Sequence, residues 1–210
     1  MTLKERYAGA LSQWEQAMPN PSSELVSHSE FQMLVAVILS AQCTDARVNL
    51  VTPALFQALG TPQAMAQATE ETIFGFIKSV SYPNSKTRHL KAMAQMLIDE
   101  FNGIVPQTME ELTRLPGVGR KTANVMLGQV FNQNAIAVDT HVFRVANRMG
   151  LAHGKTPLEV ETALVKHIPE HLQSKAHHWI LLHGRYTCRA VKPQCDNCTV
   201  KQFCKSFGTL

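Results

Sequence analysis

The stretch RLPGVGRKTANVML, residues 114 to 127, decides the fold. ELTRL (111–115) reads as the end of one helix, and Pro116 stops it because proline has no amide to continue the ladder. From Arg120 onward, Ala123, Met126, Leu127, Val130 and Phe131 recur at helical spacing, so a second helix opens at the turn. Gly117 and Gly119 bracket that turn and are expected to take positive φ and admit close backbone approach. The amides at the start of the second helix lack intrahelical acceptors and carry partial positive charge, which suits a phosphate. Gly117, Val118, Gly119 and Arg120 thus form a candidate sequence-independent grip on a nucleic-acid backbone. A bare GxG is more often a packing turn; the full LPGVGRKTA string is the specific signal.

Lys121 falls in the first turn of the second helix, at the end of the macrodipole that disfavours an ammonium. An amine held there in a dehydrated site is a candidate nucleophile for Schiff-base chemistry. The alternative is a plain phosphate or solvent contact beside Arg120.

Outward from the hairpin, helical signals dominate. Thr-Pro at 61–62 and 156–157 supplies an N-cap followed by proline at the first helical position. Thr108…Glu111 and Thr156…Glu159 have the spacing of capping boxes. FQMLVAVILSAQ (31–42) is apolar all round and predicts a central buried helix, with Cys43 at its end as a small core thiol. Only AIAV (135–138) competes as a strand. MPNPSSE (18–24) and FNQNA (131–135) are breaks. The expected class is all-α.

Composition agrees with a globular chain: 45% hydrophobic and 17% charged over 210 residues. A net charge of +4 permits a polyanionic partner without requiring one. The N-terminus MTLKERYAGALSQWEQ is no signal peptide, and the longest apolar run, Met33 to Leu39, is too short for a membrane span. These features predict a soluble cytoplasmic protein with no membrane association, in which cysteines serve as metal ligands or free thiols.

AIAVDTHVFRVANRMG places Asp139 after an apolar run and before Val142, Val145, Ala146 and Met149 on one helical face, with Gly150 as C-cap. Asp139 is a complete N-cap in itself. Its carboxylate can also stabilise positive charge on a sugar or help deprotonate an amine. CRAVKPQCDNCTVKQFC spaces Cys188, Cys195, Cys198 and Cys204 as C-x6-C-x2-C-x5-C. Such a set suits one metal centre, iron–sulfur ranking ahead of zinc because only the middle pair is CxxC. Arg185, Arg189 and Lys192 lie in or just before that block as candidate phosphate contacts.

Three signatures coincide: LPGVGRKTANV, AVDTHVFRV 18 residues after its lysine, and the four-cysteine loop. Together they closely resemble the bacterial endonuclease III family of DNA repair glycosylase/AP lyases. The resemblance runs from the N-terminal helix through LSAQCTD (39–45) and YPNSK (82–86) to Cys204. It implies two all-α lobes with a DNA-binding cleft between them. One is a six-helix barrel over 23–133; the other combines 1–22 with 134–210 and carries a [4Fe–4S] cluster on the four cysteines. It also implies Lys121 as nucleophile, Asp139 as its assistant, and Gln42 as the residue that probes the opposite strand. The partner that the resemblance implies is double-stranded DNA with damaged pyrimidines or abasic sites, and the expected protein is a bacterial, nucleoid-associated monomer.

One departure stands out. Family members often carry leucine and tyrosine before NSK, whereas this chain has Tyr82-Pro83. Tyr82 can stack where leucine would insert, and Pro83 is expected to reshape the loop. Asp45 and His141 also occupy family-like positions. The nearest rival, an adenine-mismatch glycosylase, typically lacks the hairpin lysine and adds a C-terminal domain. A non-catalytic binding module and a zinc-stapled structural protein are rivals of other classes.

Overall fold

The computed structural model describes residues 1–209, and among them it contains helices and no strand. The helices are α1 (Leu3–Ala17), α2 (Glu30–Ser40), α3 (Asp45–Leu59), α4 (Pro62–Gln67), α5 (Glu70–Ile77), α6 (Pro83–Phe101), α7 (Met109–Arg114), α8 (Arg120–Gln129), α9 (Thr140–Met149), α10 (Pro157–His167) and α11 (Gln173–Tyr186). None is long and apolar enough to cross a membrane. AIAV at 135–138 is buried but pairs with no strand.

Helix starts follow local side-chain chemistry. Thr44, Thr61, Thr69, Thr108 and Thr156 each accept the backbone N–H three residues on, satisfying one of the amides a helix leaves open. The two expected capping boxes close only halfway. Glu111 accepts the Thr108 hydroxyl at 2.7 Å, and Glu159 accepts the Lys155 amide at 2.6 Å, neither reaching its own N-cap amide. The complete box is at Thr2 and Glu5, with reciprocal bonds of 2.8 and 3.3 Å.

The chain divides into two compact units. One is Ser23–Phe131; the other joins Met1–Ser22 to the chain from Asn132 onward. In the first, Leu34 to Leu39 of α2 are buried on every side, as an apolar-all-round helix requires, and α3, α6 and α8 pack on it. In the second, α9 packs on α10 and α11 around Val142, Val145, Ala146, Val160, Leu164, Trp179 and Ile180. Each large apolar side chain so buried contributes roughly 1.5–3 kcal/mol of transfer free energy. Long-range polar bonds fix the N-terminal helix there. Tyr7 donates to the Leu151 carbonyl at 2.6 Å, Arg6 to the Phe203 and Gly150 carbonyls, and the Trp179 indole to Met18 at 2.7 Å.

Candidate functional site

The turn between α7 and α8 is built by two glycines with different reasons to be glycine. Gly117 has φ +82, and a Cβ there would come within 2.9 Å of His89 Cβ. Gly119 departs from the expected positive φ. It is extended at φ −95 and ψ 175, and an added Cβ would meet nothing within 4 Å. Nothing inside the protein therefore demands glycine at 119. Gly119 is the N-cap of α8 and offers no side chain to its amides. Val118 is buried and spends its N–H on the Leu115 carbonyl at 3.0 Å, so it shapes the turn from within. Gly117, Gly119, Arg120 and Lys121 are exposed, and Lys121 stands in the first turn of α8.

Gln42 and Tyr82 are both exposed, and both hold the left-handed backbone that non-glycine residues rarely adopt, at φ +54 and +56. Tyr82 is 64% exposed and precedes α6, with Pro83 at the first helical position. Pro83 therefore starts the helix, where its missing N–H costs nothing. Cys43 lies half-exposed in the turn after α2, outside the core that the sequence suggested. Thr44, one residue before Asp45, is the cap of α3.

Asp139 is half-buried and caps α9, accepting the Val142 amide at 2.7 Å. Gly150 ends that helix in the left-handed conformation at φ +72. His141 faces Arg144, with Nδ1 and the guanidinium 3.2 Å apart.

Cys188, Cys195, Cys198 and Cys204 all line one cavity with about 340 Å³ of unfilled space, part of it open to solvent, and no disulfide joins them. Burial pushes the Cys198 and Cys204 thiols up against the pull of backbone hydrogen bonds, and the nearby Cys188 and Cys195 add to the rise at both, with Cys204 adding at Cys198. Among the described residues no three His, Cys, Asp or Glu side chains are grouped to hold a metal ion. The His183 Nε2 lies 3.7 Å from Cys198 Sγ. Arg189 and Lys192 are exposed on the cysteine loop, and Arg185 is half-buried near the end of α11.

A model of the HhH-GPD superfamily of base excision DNA repair proteins matches residues 35–170. The chain is 48% identical to endonuclease III of Rickettsia conorii over 91% of both chains, and 44% identical to that of Escherichia coli K12 over 89% of both. The chain belongs to the endonuclease III family. It is accordingly a DNA glycosylase/AP lyase. A solved endonuclease III trapped as a covalent intermediate with DNA superposes with a TM-score of 0.92 at 42% identity, covering 98% of this chain and 97% of that one. A thermostable thymine-DNA glycosylase shares the fold alone, with a TM-score of 0.82 at 20% identity over 97% of both chains.

Two supporting groups escaped the sequence reading. From α9, Arg148 donates to the Arg189 and Ala190 carbonyls at 2.7 and 3.0 Å and approaches Cys188 Sγ at 3.7 Å. Arg144, one turn earlier, donates to the Cys188 and Gly184 carbonyls. The i, i+4 arginine pair opposite the apolar face of α9 was the available signal. Lys86, from α6, is buried against the end of α2. No sequence pattern distinguishes it from a solvated lysine.

Proposed function

We propose that this enzyme removes oxidised pyrimidines from duplex DNA and cleaves the resulting abasic site through a Schiff base on Lys121. The observation that carries the reading is the hairpin: an exposed lysine in the first turn of α8, beside a glycine whose missing Cβ serves nothing within the protein. The space at Gly119 suits a phosphate approaching uncapped helix amides. A backbone held there presents its sugar to the neighbouring amine. The solved relative captured as a covalent intermediate with DNA is in keeping with attack by a nucleophilic side chain.

The damaged base leaves the stack, because its glycosidic carbon cannot be reached inside the duplex. Lys121 Nζ bonds to C1′ as the base departs, and the ring-opened imine makes the C2′ proton acidic. Loss of that proton expels the 3′ phosphate by β-elimination. Asp139, fixed as a helix cap, supplies the carboxylate that offsets charge on the sugar and handles the proton. Gln42 and Tyr82 occupy the space left by the extruded nucleotide. Gly117, Arg120, Arg185, Arg189 and Lys192 add backbone contacts, and Val118 holds the turn.

Cys188, Cys195, Cys198 and Cys204 would hold a [4Fe–4S] cluster. Four thiols lining one cavity, two of them pushed up by burial, form a donor set that a cationic centre would keep as thiolates. Bound there, the cluster supplies a cross-link that fixes the basic loop, with no part in base excision. We read the protein as a cytoplasmic monomer.

Borohydride trapping on duplex DNA with one oxidised pyrimidine tests this reading. Wild type should give a covalent adduct and Lys121→Ala none, while the variant still binds the DNA. An adduct of equal yield in the variant would remove Lys121 from the mechanism.

A further inference from the structure

Lys86 is 5% exposed, an unusual place for an ammonium, and it sits near the N-terminal end of α6, where the helix dipole gives no support. Its Nζ donates to the Leu39 and Ala41 carbonyls, both at 2.7 Å. Those two acceptors lie at the end of α2, where carbonyls lose their intrahelical donors and the dipole favours a cation. The neighbouring carbonyls have other donors: Val37 takes the Ser40 hydroxyl, Ile38 the Ala41 amide and Ser40 the Cys43 amide. Lys86 thus completes the end of α2. Burial pushes its pKa down from the ordinary lysine value, and the nearby Cys43 acts the other way.

The same residue is bonded to both exposed left-handed loops. Its side chain holds Ala41, which immediately precedes Gln42, and its backbone N–H donates to the Tyr82 carbonyl at 3.1 Å. Left-handed non-glycine backbone persists only where its surroundings over-determine it. Pro83 fixes the far side of Tyr82 as the first residue of α6. The bond pattern therefore links two strained loops through one residue, by its buried ammonium on the Ala41 side and by its main chain on the Tyr82 side.

We propose that Lys86 is a positioning residue that locks the Gln42 and Tyr82 loops to each other, so that both side chains enter the duplex as one rigid wedge. This rests on the glycosylase/lyase reading above. Lys86 itself touches neither the lesion nor the reacting sugar. Loss of the ammonium unties the Ala41 carbonyl from α6 while the backbone bond to Tyr82 remains, so the Gln42 loop shifts relative to Tyr82 and the energy for extruding a base is no longer delivered by a fixed pair.

The test compares two DNAs. Duplex DNA with an oxidised pyrimidine needs the wedge, whereas an abasic site in a single strand has no opposite base to replace. Lys86→Met should cut single-turnover base release on the duplex at least tenfold while leaving borohydride trapping on the single strand within about twofold. Lys86→Gln, which keeps a donor and secures folding should the methionine variant be unstable, should fall between. Adding Gln42→Ala to Lys86→Met should cost little beyond the larger single effect, because both remove the same device. Equal losses on both DNAs would show a general structural role and overturn the inference. So would unchanged duplex turnover, or full additivity with Gln42→Ala. Wild type that traps neither DNA would overturn the enzymatic reading itself, and this inference with it.

Discussion

Alanine at the two hairpin glycines should separate folding from DNA binding. At Gly117 the backbone has φ +82, where an L side chain costs about 1–2 kcal/mol. The new Cβ would also stand 2.9 Å from His89 Cβ, a stiff point near its backbone, and overpacking of that kind costs typically ~1–3 kcal/mol. Restricting the unfolded chain returns roughly 0.4–1 kcal/mol. The net is a destabilisation of roughly 2–3 kcal/mol, and at about 2–4 °C per kcal/mol for a chain of this size Tm should fall by roughly 5–10 °C. At Gly119 the backbone is extended and the Cβ meets nothing within 4 Å. Alanine is a poorer N-cap than glycine by something under about 1.5 kcal/mol, and the unfolded-state gain offsets much of that. Gly119→Ala should therefore melt within about 3 °C of wild type.

The order reverses for DNA. The alanine methyl at 119 would occupy the space proposed above for a phosphate at the start of α8, so affinity should fall at least ~10-fold, or ~1.4 kcal/mol. Anisotropy on a duplex with a non-cleavable abasic analogue, at one fixed salt concentration, measures it alongside thermal unfolding. Gly119→Ala that binds like wild type, or that melts as early as Gly117→Ala, would refute the assignment of this glycine to an external partner.

Two further outcomes concern the unit that carries the cysteines. His178 is 5% exposed, and burial pushes its pKa from the ordinary 6.5 to about 4. Below pH 6.5 the unfolded chain takes up a proton that the folded protein refuses, so stability is lost as pH falls from 6.5 toward 4 and is unaffected above that window. At pH 5 the loss is on the order of 2 kcal/mol, and urea unfolding of His178→Leu at pH 7.5 and pH 5 should show an acid penalty smaller than wild type's by about that amount. Arg148→Ala removes two bonds to the cysteine loop, worth roughly 1–2 kcal/mol at such an exposed position, and should speed loss of visible absorbance from cluster-loaded protein under a chelator several-fold. An unchanged rate would mean that the loop is held without it.

What the sequence determined by itself was local. Threonine caps, the Pro116 stop, the left-handed Gly117 and the Asp139 cap depend on bonds three or four residues apart, so a short window holds all the information. That the four cysteines come together around one cavity was legible because they lie close along one stretch of chain. Tertiary structure decided the rest. Gly119 is extended because it is the N-cap of α8, a local rule that the sequence analysis did not apply to it, whereas the open space at its Cβ is set by what packs around the turn. Lys86 reaches Leu39 across 47 positions, and Arg148 reaches Cys188 across 40. Neither partner is marked in the chain, because a buried ammonium and a solvated one are the same letter. Only packing α6 onto α2, and α9 beside the cysteine loop, brings these cations to carbonyls whose own helices and turns leave them without donors.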